Sequence, residues 1–191
     1  IKQMFWIGFL ATTLFGAFVL INIDWVLSVA SETYFWIWIV SQFILTFCLA
    51  GMSAIIYEWA FKVKWKRSTH NHHHHVALLA IPPALMFFGL AFFPPFAMHF
   101  ILIGIAIEVI LLLVMRPDLM VDGFFSGVFL GAVLTILFSW LFARIPGNIF
   151  DAWTLSGITL VGVPAELIAF FFLFGCLWGP WYELVKDYHT E

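Results

Sequence analysis

Runs of about 20 predominantly apolar residues recur along the chain, the length an α-helix needs to cross a hydrocarbon layer of ~30 Å. Lipid offers a backbone amide no partner, so such runs must be helices or strands of a closed barrel. They show no period-two alternation, which selects helices. The pattern predicts an all-α fold, a polytopic membrane helix bundle with about six spans at residues 3–23, 33–60, 76–93, 97–115, 124–144 and 157–185. Pro94-Pro95 separates the third span from the fourth; two consecutive rings remove amide donors and force a tight turn. The first apolar run is long and closely followed by others, so it is expected to remain as a helix rather than be cleaved as a signal.

Composition agrees with lipid as the solvent: 64% of residues are hydrophobic against 10% charged, and mean hydropathy is +1.06. Orientation follows from the basic residues, which accumulate in cytoplasmic loops. A cytoplasmic N-terminus puts Lys2, Lys62, Lys64, Lys66, Arg67, Arg116 and Lys186 inside and leaves Arg144 outside. The chain is therefore expected in the cell (inner) membrane with both termini cytoplasmic. Its main partner is membrane lipid, and it offers no basic groove for nucleic acid. Cys48 and Cys176 fall within spans and read as buried small residues.

The sequence also repeats itself. QFILTFCLAG, Gln42 to Gly51, aligns without gaps on ELIAFFFLFG, Glu166 to Gly175. NIDWVLS (Asn22 to Ser28) resembles NIFDAWTLS (Asn148 to Ser156), and Tyr57-Glu58 answers Tyr182-Glu183. Spans one and two then match spans five and six, an even number of crossings apart, which would make a parallel internal repeat with halves around 1–75 and 97–191; coincidence in Phe- and Leu-rich sequence is the alternative. Gln42 occupies the place of Glu166.

Polar residues inside such spans are rare and costly. Gln42, Glu108 and Glu166 are each expected roughly 14–16 Å below the outer ends of their spans, forming one layer near mid-membrane. Gly104 and Gly162 each precede a glutamate by one turn, leaving open space where a helical side chain leans; close helix packing is the alternative reading of both glycines. Desolvation favours the neutral acid, and a protonated carboxyl in a dry site can donate a proton to an apolar substrate. Glu166 and Glu108 are thus the candidate acids, with a structural interhelical hydrogen bond as the alternative. Pro164 either kinks the helix beside Glu166 or starts it.

Pro164-x-Glu166, followed by Leu167 and an aromatic run, resembles the proline-x-glutamate-acid signature of the integral-membrane lycopene cyclases, the non-flavin enzymes of bacteria, archaea and fungi. The resemblance covers mainly Asp151 to Glu183. It implies a carotenoid-pathway protein that isomerises a linear polyene without net redox change and without a cofactor: an acid protonates one end, the cation closes a ring, and a proton leaves. Glu166 becomes the proton donor and Pro164 the residue that shapes its segment. Gln42 and Glu108 are added from depth alone, as groups that position the donor or the cation. Phe170 and Phe171 are pocket candidates, because ring faces stabilise cations; helix packing is their other reading. The chain departs from the signature at Leu167, where the family has a second acid, and at Gln42, where the first copy lacks a glutamate. A non-catalytic subunit of a larger membrane complex, holding pigment or lipid, is the alternative function.

Other polar segments lead to less. His70 and His72 to His75 lie on the basic inner loop, as a solvated or engineered tract, and with His99 and His189 they cannot supply the ligands of a di-iron oxygenase. No metal site is expected. Asp118 and Asp122 have a spacing that could hold magnesium, but a solvated inner loop is the reading adopted. Trp178 and Trp181 near a span end read as interfacial belt residues.

Overall fold

The computed structural model describes residues 2–21, 35–61, 65–67, 97–142, 156–186 and 188–190, together with Ala84, Phe88 and Phe92. In chain order these form α1 (Lys2–Ile21), α2 (Phe35–Phe61), the short strand β1 (Trp65–Arg67), α3 (Ala97–Met115), a 3₁₀ turn (Pro117–Leu119) and α4 (Met120–Phe142). A hairpin of β2 (Thr159–Leu160) and β3 (Val163–Pro164) follows, then α5 (Ala165–Trp178), α6 (Trp181–Lys186) and β4 (Tyr188–Thr190). The protein is mostly helical. Gln42–Phe61 and Pro117–Trp140 are long and apolar enough to cross a membrane, and Met4–Thr13, His99–Met115 and Ala165–Trp178 are shorter apolar helical stretches.

The expected first, second and fourth spans coincide with α1, α2 and α3 within a few residues. The fifth begins earlier than expected, at Met120. The expected third span, 76–93, lies outside the described residues apart from helical Ala84, Phe88 and Phe92; the Pro94-Pro95 turn and the histidine tract lie outside them too. The sixth span, expected at 157–185, is corrected to a shorter helix. Residues 159–164 pair as a hairpin, with Thr159 opposite Pro164 and Leu160 opposite Val163, and α5 ends at Trp178 before Gly179-Pro180. Hairpin pairing and the second proline account for both losses, since proline cannot donate the amide that continues a helix.

Each helix sorts its residues by side rather than by polarity. On α3, Ile103, Ile107, Ile110 and Val114 are exposed, whereas Ile105, Glu108, Val109 and Leu112 are buried. On α4 the exposed row includes Phe124, Val128, Ile136 and Trp140, and the opposite face buries Asp122, Ser126, Leu130 and Leu134. An apolar exterior around a partly polar interior inverts the usual soluble helix, whose charged face looks outward.

Two close helix pairs organise the bundle: α1 on α2 and α4 on α5, with α3 against α5 and α2 against α4 and α5. Glycine makes the close approach in both. A Cβ on Gly8 would stand 2.7 Å from the Phe47 carbonyl oxygen, and one on Gly51 2.8 Å from that of Met4. On the other pair, a Cβ on Gly175 would meet the Ser126 carbonyl oxygen at 2.6 Å and Gly127 Cα at 2.8 Å. Gly123, Gly127 and Gly131 line the matching face of α4 at four-residue spacing, the small-residue pattern that lets helices pack where lipid supplies no hydrophobic drive.

One end of the bundle gathers polar groups. β1 pairs antiparallel with β4, Trp65 opposite Thr190 and Arg67 opposite Tyr188, and β4 touches the turn between α3 and α4. In that turn Arg116 donates from Nε and Nη2 to the two carboxylate oxygens of Asp118, at 2.9 and 2.8 Å. Lys66, Arg67 and Arg116 therefore share one end of the molecule.

The opposite end carries the hairpin. Val161 adopts φ 54° and Gly162 φ 79° at its tip. Both residues of a two-residue turn of this hand need positive φ. Glycine accepts this freely, whereas left-handed backbone costs an L-residue roughly 1–2 kcal/mol. Val161 is β-branched, so the conformation is unusual for it. Its carbonyl accepts a 2.8 Å hydrogen bond from Ser139 Oγ, which ties the tip to the end of α4.

Candidate functional site

An apolar cleft lies between α2 and α4, with a cavity of about 340 Å³. Its lining runs from Leu45 to Ile56 on α2 and from Ser126 to Leu137 on α4, three turns of each helix or roughly 16 Å. Leucine, isoleucine, valine, phenylalanine and methionine supply most of the wall, with Cys48 beside them. Both cysteines are free thiols.

Leu130 and Leu134 belong at once to the cleft wall and to an apolar cluster with Val163, Leu167 and Phe171. That cluster braces the cleft from α5. Phe171 is buried in it, with its ring 5.0 Å from Phe138 and 6.0 Å from Phe170 between centroids. Phe170 and Phe171 both pack among helices, the packing alternative of the sequence reading, and neither is among the residues that line this cleft. Trp178, expected at an interfacial belt, is likewise buried, 5.9 Å from Phe174 and 5.7 Å from Trp181.

The inner end of the cleft closes on hydroxyls. Ser126 Oγ lies 3.2 Å from the Ser53 carbonyl oxygen and 3.3 Å from Asp122 Oδ1, and both serines are fully buried. Around this point Arg116, Asp122 and Glu183 are each no more than 4% exposed. The solvated-loop reading holds for Asp118, which is exposed and pairs with Arg116, and is corrected for Asp122, which turns inward on the glycine face of α4, where the absent side chains let α5 close over it. Glu183 lies in α6, beyond the apolar helices. Burial pushes its carboxyl up to about 9, reinforced by the neighbouring Asp122 and Glu58 carboxyls and opposed by a backbone hydrogen bond and Arg116. Among the described residues no group of three metal-ligating side chains comes together.

Glu166 occupies the first turn of α5, where Pro164 (φ −55°, ψ 136°) is the N-cap residue. Its Oε1 accepts a 2.6 Å hydrogen bond from the Ser156 amide. Of the two readings of Pro164, the helix start is the one observed, and no kink arises. Gly162 sits in the hairpin turn instead of one helical turn before Glu166.

The single mid-membrane layer of Gln42, Glu108 and Glu166 is also corrected. Gly175 abuts Ser126, which reaches Ser53. From these anchors Glu166 stands roughly 14 Å and Gln42 roughly 16 Å toward the hairpin end, at 1.5 Å per residue. Those two share a level near the outer end of the cleft. Glu108, 5% exposed, lies on the α3 face whose Ile105, Val109 and Leu112 join Cys176, Leu177 and Trp178 in one apolar cluster. It therefore faces the bundle interior, where α3 packs on α5. The layer breaks because α5 starts late, which puts Glu166 at a helix end while Glu108 remains mid-helix.

Sequence reasoning missed the Ser53–Ser126–Asp122 group. Its signal was present: Asp122 and Ser126 stand four apart, each immediately before a glycine of the Gly123, Gly127, Gly131 series, so both lie on the packed side of α4. No protein-family model matches the chain, and no curated protein or solved structure matches it either.

Proposed function

We propose that the chain is an integral membrane protein of the cell membrane, with both termini cytoplasmic, that receives a linear polyene in the α2–α4 cleft and isomerises it without net redox change. The cleft carries this reading. An apolar slot roughly 16 Å long suits an extended hydrocarbon better than a compact polar solute, and most binding cavities of this volume class are apolar with a few placed polar groups. The exposed aliphatic rows on α3 and α4 support lipid as the surrounding solvent.

The chemistry rests on the resemblance of Pro164-x-Glu166 to the lycopene cyclases. Glu166 donates a proton to the terminal double bond, the resulting cation closes on a neighbouring double bond, and loss of a proton restores the formula. Gln42, level with Glu166 on α2, positions the polyene end. Glu108 stays outside this step because it faces a different cluster.

Expression in a lycopene-accumulating host tests the reading. Cyclic carotenoids are the expected product, and linear pigment left unchanged by a membrane-inserted protein would refute the activity. Glu166→Gln is expected to abolish ring formation while the protein stays in the membrane; retained cyclisation would remove Glu166 from the donor role.

A further inference from the structure

The hairpin exposes three aliphatic side chains, Ile158 at its base at 63%, and Leu160 at 59% and Val161 at 70% at its tip. The same hairpin buries Val163 completely against Leu130 and Leu134, so its inner side is fixed on the bundle and its outer side stays apolar. At the turn, a valine takes a left-handed backbone position that glycine or asparagine would fill without strain. An apolar residue kept at a conformational cost, and facing outward, calls for an apolar surrounding.

The position of the tip identifies that surrounding. From Met120 to Trp140, α4 spans roughly 30 Å, the thickness of the hydrocarbon layer. Arg116 and Asp118 lie just before its start, and exposed Trp140 lies near its end. Tryptophan at such an end belongs to the interface between acyl chains and headgroups. Ser139, the residue before Trp140, holds the Val161 carbonyl. The tip therefore stands at that boundary, and its aliphatic side chains continue the exposed row of Ile136 and Trp140 on α4.

We infer that the β2–β3 hairpin is an interfacial anchor whose tip, Leu160 and Val161, inserts into the outer headgroup–acyl boundary of the bilayer. It thereby fixes the level of the first turn of α5. The inference rests on the membrane-spanning reading, and its test separates the two.

Cys48 and Cys176 are replaced by alanine, and single cysteines are introduced by Val161→Cys, Leu160→Cys or Ile136→Cys. Each is labelled with an environment-sensitive fluorophore in protein reconstituted into phosphatidylcholine vesicles. Labels at 160 and 161 are expected to lose emission to lipids quenching near the headgroups and to be protected from aqueous iodide. Quenching by iodide without quenching by the lipids would overturn the anchor. Protection from both would overturn it too, because another protein surface would then cover the tip. Ile136 reports on the spanning reading: about 6 Å inside the boundary at 1.5 Å per residue, its label should be quenched by lipids carrying the quencher in the upper part of the acyl chain. If it is reached by iodide instead, the membrane placement of α4 fails, whatever the hairpin labels show.

Discussion

At the scale of single residues, the polar side chains divide between the two ends of the cleft. Glu166 stands toward the outer end, in the first turn of α5, as an acceptor from the Ser156 amide. Glu183 stands at the inner end under burial and two neighbouring carboxyls. Its folded pKa lies above the ordinary value, so its contribution to stability is fully present below about 4.5 and declines as pH rises through about 9. Thermal unfolding in detergent across that window should show a falling midpoint, and Glu183→Gln should flatten the fall and raise stability at its alkaline end; an unchanged slope would contradict the assignment. Ser126→Ala should cost about 1 kcal/mol in the same assay, as expected for one buried hydrogen bond. Gln42, Glu108 and Glu166 stand out in the sequence by the rarity of polar residues in apolar runs, and of the three Glu108 is buried while the other two are partly exposed. Their grouping was not, because levels along a helix depend on where the helix starts, and Pro164 reads equally well as a kink or as a start.

Among the elements, the glycine faces decide which helices meet. Gly175 lies against the backbone of α4 with no room for a Cβ, whereas a Cβ on Gly131 would meet its nearest atoms at an ordinary 3.5 Å. Gly175→Ala should therefore destabilise the bundle by about 1–3 kcal/mol through overpacking. Gly131→Ala should be neutral or stabilising by up to about 1 kcal/mol from helix propensity. Thermal unfolding of the two variants beside the parent protein makes the comparison, and equal effects would contradict the packing described. Gly51 and Gly175, aligned in the sequence repeat, both touch the backbone of the helix they pack on, Met4 in α1 and Ser126 in α4. Existence and type of α1 to α4 were legible because long apolar runs leave the chain no other choice. The hairpin was hidden inside an apolar stretch, where Val161-Gly162 lacks the polar residues that usually announce a turn.

For the whole molecule, the described residues combine an apolar exterior, a polar inner end and an apolar cleft, the combination on which the proposed hydrocarbon ligand rests. The polar residues stand out in the sequence, but the cleft is lined mostly by ordinary aliphatic residues, and only the packing of α2 against α4 brings them together. The most direct test is pigment retention. Protein purified in mild detergent from lycopene-accumulating cells should carry bound polyene, and Val133→Trp, which places an indole in the cleft from its partly exposed wall, should lose it while folding normally. Absence of pigment from the parent protein, or equal retention by the folded Val133→Trp variant, would contradict the account.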